Sequence, residues 1–235
     1  MVVCAVLAGA VASVAGFGIG SILTPLLTLS APAKVAVAAV AIPHAVATAY
    51  RLWLVRRFVD LKLLRSFGAA SAAGGLVGAV VQRVFASRWL EVVLACLLIF
   101  VGVSAFFGYV KRMRFSGWAA WVAGGVSGLL GGLVGNQGGL RAGAMTGLGV
   151  ERDAFVATAT ATGLIVDSAR LPVYFAGFFH ELLRLWPTIA AMTLAVVLGT
   201  IAGAGVLRKI PQAVFERVVS LLLVALGIWL IAKGS

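Results

Sequence analysis

Apolar stretches about as long as a bilayer-crossing helix needs, roughly 20 residues, follow one another along this whole 235-residue chain, with only short basic loops between them. That succession predicts an all-α polytopic membrane protein, forming a single transmembrane domain over residues 1–235 with roughly seven or eight segments. Composition agrees, at 62% hydrophobic and 11% charged, where soluble domains average about 45–50% and about 25%. A soluble globular domain is excluded, and so is a disordered chain, which needs low hydrophobicity. Strands of about ten residues with alternating polarity are absent, which excludes a membrane β-barrel. Nineteen Lys and Arg against seven Asp and Glu give a net charge of +12. In a soluble protein that balance would point to nucleic acid. Here the basic residues sit in loops beside apolar segments, where they set orientation, so the expected partner is the lipid bilayer and not nucleic acid. Cys4 and Cys96 lie in apolar runs and make neither a disulfide framework nor a metal motif. The opening segment has no basic leader, which predicts that no signal peptide is cleaved.

Charge breaks divide the chain into eight apolar segments: Val2–Leu29, Lys34–Val55, Ser66–Val84, Trp89–Val110, Gly117–Val150, Ala154–Phe179, Leu185–Leu207 and Ala213–Ala232. The two halves, 1–110 and 117–235, read as repeats. At an offset of 119, Gly9, Gly16 and Gly20 meet Gly128, Gly135 and Gly139, and Arg51-Leu52 meets Arg170-Leu171. Near the end the offset becomes 125, where Glu91 meets Glu216 and Gly102 meets Gly227. Charged matches carry the most weight in a chain this apolar. Internal repeats of this kind are a common plan of secondary transporters.

Segments one and five are longer than a single crossing needs, at 28 and 34 residues, and carry glycines near their centres: Gly16, Gly18 and Gly20, then Gly135, Gly138 and Gly139. Each glycine weakens a helix by about 1 kcal/mol, so each cluster marks a break. Two readings follow. Each segment is one long tilted helix with glycines for close packing, or each is a re-entrant hairpin of two half-helices. If all eight segments cross, the loop cations divide nine against seven between the faces; with hairpins they divide eleven against five. The excess of Lys and Arg expected on the cytoplasmic side favours hairpins. Hairpins leave three crossings per repeat, an odd number, so the halves become inverted relative to each other.

Several polar residues interrupt the apolar segments. Arg51, Arg141 and Arg170 lie inside or near the ends of such segments. A charge at membrane depth costs several kcal/mol unless paired or hydrated, which makes it a functional candidate. The alternatives are that Arg51 and Arg170 snorkel to the interface and that Arg141 reaches the surface. Asn136 and Gln137 fall in the break of segment five, where unwound backbone is tolerated only if it lines protein or a wet cavity. N–H groups at half-helix starts attract anions, and two amides there add donors, or else satisfy the hairpin's own backbone. Asp167 lies three residues before Arg170, on one helix face with it, as an internal ion pair or a proton-coupling carboxylate. Thr158, Thr160, Thr162 and Ser168 flank it; their hydroxyls bond their own helix or line a polar path. His44 follows Pro43 in segment two, as a satisfied polar group or as a site that titrates near neutral pH. Its repeat counterpart is Gly163.

No phosphate-binding lysine motif suggests ATP use. No Cys/His cluster suggests a metal and no Ser-His-Asp set suggests a hydrolase, so neither an enzyme nor a cofactor is expected. The potassium-channel filter signature is also absent.

Both halves open on glycine-rich motifs, Ala15-Gly16-Phe17-Gly18-Ile19-Gly20 and Gly128-Leu129-Leu130-Gly131-Gly132-Leu133-Val134-Gly135, and each following segment is Ala-rich and ends in an arginine. With the two-repeat layout and size, this resembles the sulfite exporter TauE/SafE family, also called toluene sulfonate uptake permeases. The second half departs from the family pattern, reading Gly-Asn-Gln-Gly-Gly where a more continuous glycine run is typical, which leaves the substrate open. The resemblance implies a multi-pass bacterial inner-membrane permease for sulfite or a small organosulfonate, coupled to an ion gradient. On that footing Arg51 and Arg170 neutralise a small anionic substrate, and Asn136, Gln137, Arg141 and His44 bind it. Asp167 or His44 carries the proton. An anion channel with the same basic path is an alternative. So is a non-transporting scaffold for a partner protein or a second copy of the chain, since Gly124/Gly128 and Gly199/Gly203 have the GxxxG spacing of associating helices.

Overall fold

A computed structural model describes residues 1–15, 18–109, 118–136, 138, 140, 141, 145, 150–206 and 212–234. Gln137 lies outside the described residues, as do Gly16, Phe17 and Gly139. No strand occurs among the described residues. The helices are α1 (Val2–Ala15), α2 (Ile19–Leu27), α3 (Ala33–Val55), α4 (Leu61–Leu63), α5 (Ala69–Val84), α6 (Ser87–Phe106), α7 (Trp118–Val134), α8 (Arg152–Arg184), α9 (Trp186–Val206) and α10 (Gln212–Gly234). A 3₁₀ turn, Arg56–Phe58, follows α3, and a π turn, Leu64–Gly68, joins α4 to α5. Asp60 caps α4, its Oδ1 accepting from the backbone N–H groups of Lys62 and Leu63 at 2.9 and 3.0 Å.

Among the described residues, Ala33–Phe58, Leu61–Gln82, Ser87–Phe106 and Trp186–Gly203 are each long and apolar enough to cross a membrane. The distribution of side chains is that of a protein solvated by lipid. Large apolar groups face outward, among them Val84, Trp118, Leu194 and Trp89. Small ones fill the interior, with Ala5, Ala8, Ala12, Ala36, Ala38, Ala39 and Ala47 all buried. Lipid is as apolar as leucine, so helices associate here through close backbone packing rather than by hiding oil from water.

The glycine breaks predicted in segments one and five fall where the helices stop. Gly18 precedes α2 with φ 132°, and Gly135 follows α7 with φ 74°, conformations that a side chain on either residue would strain. At about 1.5 Å per residue, the 14-residue α1 and the 9-residue α2 are each shorter than a hydrocarbon core of about 30 Å. The two breaks touch: a side chain on Gly20 would run into the carbonyl of Gly135.

The most extensive helix pairs are α5 with α7, α1 with α9, α6 with α10 and α3 with α8. Backbone contacts at glycine recur in matched pairs. Gly74 lies on the carbonyl of Gly125, and Gly199 on that of Val6. Gly128 lies on the carbonyl of Ser71, and Gly9 on that of Val196. Gly102 lies on the carbonyl of Ser220, and Gly227 on that of Ala95. The members of each pair are related by the offsets of 119 and 125 found in the sequence. The GxxxG glycines are therefore used inside the chain: Gly124 and Gly128 pack on Phe67 and Ser71, and Gly199 and Gly203 on Val6 and Ala10.

Three contacts mark the two ends of α3. At its start, Lys34 Nζ donates to the carbonyl of Arg83 at 2.8 Å, and Lys233 Nζ to that of Thr28 at 2.6 Å. Beyond its end, the backbone N–H of Asp60 donates to Thr158 Oγ1 at 2.9 Å. Between them α3 and α8 cross antiparallel, so that Arg51 meets Thr160 while His44 meets Asp167.

Candidate functional site

Thr160, Gly163, Asp167, Arg170 and Tyr174 recur on α8 at intervals of three and four, which places them on one face of the helix. Thr160 Oγ1 donates to the carbonyl of Val156 at 2.7 Å, leaving its lone pairs to accept from Arg51 Nη2 at 3.3 Å. Gly163 has no side chain, and the guanidinium of Arg141 lies over it. Asp167 is fully buried and engaged on both oxygens. Its Oδ2 is 2.6 Å from His44 Nδ1, and its Oδ1 accepts from Arg170 Nε at 3.0 Å and Nη2 at 2.7 Å.

The third hand of Arg170 reaches α7. Its Nη1 donates to the carbonyl of Gly131, Tyr174 donates its hydroxyl hydrogen to the carbonyl of Gly132, and Gln82 Nε2 donates to that of Leu133 at 3.1 Å. These carbonyls belong to the last turn of a helix, where donors from the following turn run out, although that of Gly131 also accepts from the Gly135 N–H at 3.0 Å. The cation of Arg170 also suits the negative end of the helix dipole. Three side chains from α5 and α8 thus hold the end of α7, next to the break at Gly135.

Charge does not balance in this interior. Arg51, Arg141 and Arg170 are all buried, and Asp167 is the one buried acid among the described residues. Arg170 occupies that acid. Arg141 is within electrostatic range of Asp167, Arg51 and Arg170, and its Nη1 has no hydrogen-bond partner among the described residues. Asn136 is in the same condition. Ser21 donates to its Oδ1 at 2.9 Å, which turns the amide nitrogen away with no partner among the described residues. Thr24 and Thr162 also bury unpartnered hydroxyls. A buried donor left unmade costs about 1–3 kcal/mol, and more when it is charged. An assembly of unmade donors around surplus positive charge is suited to an anion.

Of the residues singled out in the sequence, His44, Arg51, Asp167 and Arg170 form one connected region where α3 crosses α8, with Arg141 set against α8 one turn from Asp167. Asn136 sits at the break of segment five, facing Ser21 at the start of α2. Neither Arg51 nor Arg170 snorkels, and Arg141 is buried rather than at the surface. Thr160 and Ser168 bond their own helix, Ser168 through the carbonyl of Leu164 at 2.9 Å, whereas Thr158 receives the Asp60 N–H. Ser21, Gln82 and Tyr174 were not singled out. Tyr174 carried a signal, being four residues past Arg170 on the same face. Among the described residues no group of three His, Cys, Asp or Glu is placed to hold a metal ion.

A family model described as Sulfite exporter TauE/SafE matches residues 1–230 of the chain. This chain belongs to the TauE/SafE family. It is a multi-pass membrane transporter of the sulfite-exporter type, and its apolar helices accord with that membership. No curated protein and no solved structure matches it. In this TauE/SafE protein the surplus of buried guanidinium lies where the crossing helices α3 and α8 meet the broken segments.

Proposed function

We propose that this protein is a secondary transporter exporting sulfite or a small organosulfonate across the bacterial inner membrane, with protons coupled to the flux. The observation that carries the proposal is the imbalance, among the described buried residues, of three guanidinium groups against one carboxylate, with Arg141 Nη1 unpartnered there. An isolated buried charge is strongly unfavourable until a counter-charge arrives, and a small oxyanion supplies both the charge and the acceptors. Arg141 and Asn136 hold it through their unmade donors, Gln137 adds a second amide from the same break, and Arg51 neutralises it from α3. His44 and Asp167 carry the proton. In the arrangement seen, Arg170 is bound to Asp167. Protonation of Asp167 through His44 weakens that pair and releases Arg170 N–H groups to the anion, so proton and anion bind together.

The architecture proposed for this work is a duplicated, inverted unit, repeat one in 1–110 and repeat two in 117–235, each opened by a re-entrant hairpin, together making one transporter domain. The matched glycine contacts support duplication, because each joins residues related by the sequence offsets. Two contacts support hairpins. Lys233 lies by Thr28, at the Lys34 end of α3. Thr158, near the start of α8, lies by Asp60 at the other end. Eight full crossings would put Lys233 opposite Lys34, and the start of α8 opposite the Arg56–Arg65 loop.

The test is sulfite flux in proteoliposomes. Wild type is expected to show flux with counterflow, stimulated by acid on the side where sulfite is added. Arg141→Ala is expected to insert normally and move no sulfite. Normal sulfite flux through well-folded Arg141→Ala protein would defeat the assignment, and conductance without counterflow would make the protein an anion channel instead.

A further inference from the structure

Position 163 is where the row of side chains on α8 is interrupted. Thr160 precedes it and Asp167 follows it on the same face, one bound to Arg51 and the other to Arg170. In the gap lies Arg141: a carbon added at Gly163 would sit 3.0 Å from Arg141 Nη1, 3.3 Å from Nη2 and 3.4 Å from Cζ. Those three atoms are the nearest neighbours of that carbon, and none belongs to backbone. Other buried glycines differ in this respect, since at Gly78, Gly128, Gly132 and Gly199 the first obstacle is a carbonyl of a neighbouring helix. The space at Gly163 is thus occupied by the charged end of one flexible side chain.

We propose that Gly163 is a positioning residue for anion transport: the missing side chain lets the Arg141 guanidinium lie flat on α8, beside Asp167, with Nη1 left free for the substrate. The residue 119 positions earlier is His44, which carries an imidazole to Asp167. One place in the two halves therefore holds the partner of the carboxylate in one and the seat of the anion-binding cation in the other. A methyl group at 163 moves the guanidinium by a few tenths of an ångström without removing its charge. This rests on Arg141 binding the anion, as proposed above.

The experiment is a double-substitution cycle in proteoliposomes with sulfite as substrate. Displacing a catalytic or binding group by about 1 Å costs up to about 100-fold, so the smaller shift forced by Gly163→Ala is expected to raise KM for sulfite about tenfold, with kcat held within about twofold. Arg141→Lys removes the atoms that the new methyl would meet. Gly163→Ala is therefore expected to have no further effect in an Arg141→Lys background, a non-additivity that a loss of helix packing would not produce. Gly177→Ala, on the same helix but with the Arg83 side chain at an ordinary 3.4 Å, is the control and should leave KM unchanged. If wild type moves sulfite and Gly163→Ala matches it in KM, the inference is overturned while the transport function stands; if wild type moves no sulfite, the transport function itself fails. Should Gly163→Ala fold only in the Arg141→Lys background, the steric origin is upheld. Failure to fold in both backgrounds overturns it.

Discussion

α3 and α8 cross at the centre of this protein and bring corresponding arginines to very different surroundings. On α8, Arg170 has a carboxylate three residues before it and uses three nitrogens, two on Asp167 and one on Gly131. On α3, the position three residues before Arg51 is Thr48, and Arg51 bonds the hydroxyl of Thr160 instead. The glycine–backbone contacts between α5 and α7, α1 and α9, and α6 and α10 recur in matched pairs, yet the polar groups on α3 and α8 do not. Packing glycines answer to the neighbouring backbone, which the proposed duplication would copy along with them. Under the proposed function the polar groups answer to the substrate, and a single anion held between two halves would need different things from each. One arginine is anchored to an acid that can be protonated. The other has no carboxylate partner among the described residues and keeps its field available.

The largest effect expected from breaking this contrast comes from Asp167→Asn. It leaves the Arg170 guanidinium buried without its counter-charge and removes the anionic partner of His44. Losing one member of a buried pair costs about 3–5 kcal/mol, so a large fall in thermal midpoint is expected in detergent, with little folded protein recovered. Retention of the wild-type midpoint would mean that the pair is not needed to tolerate Arg170. The next effect tests the shared half of the comparison. Gly74→Ala and Gly199→Ala each push a carbon into a carbonyl of a neighbouring helix, on Gly125 and on Val6. Overpacking of this kind costs about 1–3 kcal/mol. Both midpoints are expected to fall, and by similar amounts. A fall in one alone would break the equivalence of the α5–α7 and α1–α9 contacts.

Much of this was legible in the sequence, for identifiable reasons. Glycine clusters in over-long apolar segments marked the breaks, because glycine is poor in helices, with close packing of a single tilted helix as the other reading. Arg51, Arg141 and Arg170 stood out because charge is rare inside the apolar segments. The Asp167–Arg170 pair followed from helical spacing alone. What could not be read was any contact made across the crossing of α3 and α8. Periodicity assigns a residue to a face but does not say what that face meets, so the partner of His44, 123 residues away, was hidden. Ser21 was hidden for the same reason, since its partner Asn136 lies across the contact between two broken segments. Gly163 was noted only as the counterpart of His44. Its use depends on where Arg141 lies, which the local pattern does not encode.

The sharpest test of the comparison makes the two arginines alike. Thr48→Asp places on α3 the carboxylate that α8 has at the same spacing, three residues before the arginine, within reach on a helical face. Thr48 is buried, so the new acid is itself stable there only by pairing, and Arg51 is the cation at the matching spacing. Once paired, Arg51 no longer offers its charge to a substrate, and the surplus of guanidinium over carboxylate among the described buried residues falls from two to one. Sulfite affinity, followed by thermal shift of the purified protein, is expected to weaken about tenfold, which corresponds to about 1.4 kcal/mol. Thr48→Asn has nearly the same shape without the charge and should bind as wild type does. Equal weakening in both variants would assign the loss to packing around residue 48. Unchanged affinity in a folded Thr48→Asp protein would place Arg51 outside the field of the anion, leaving Arg141 to hold it without help from α3.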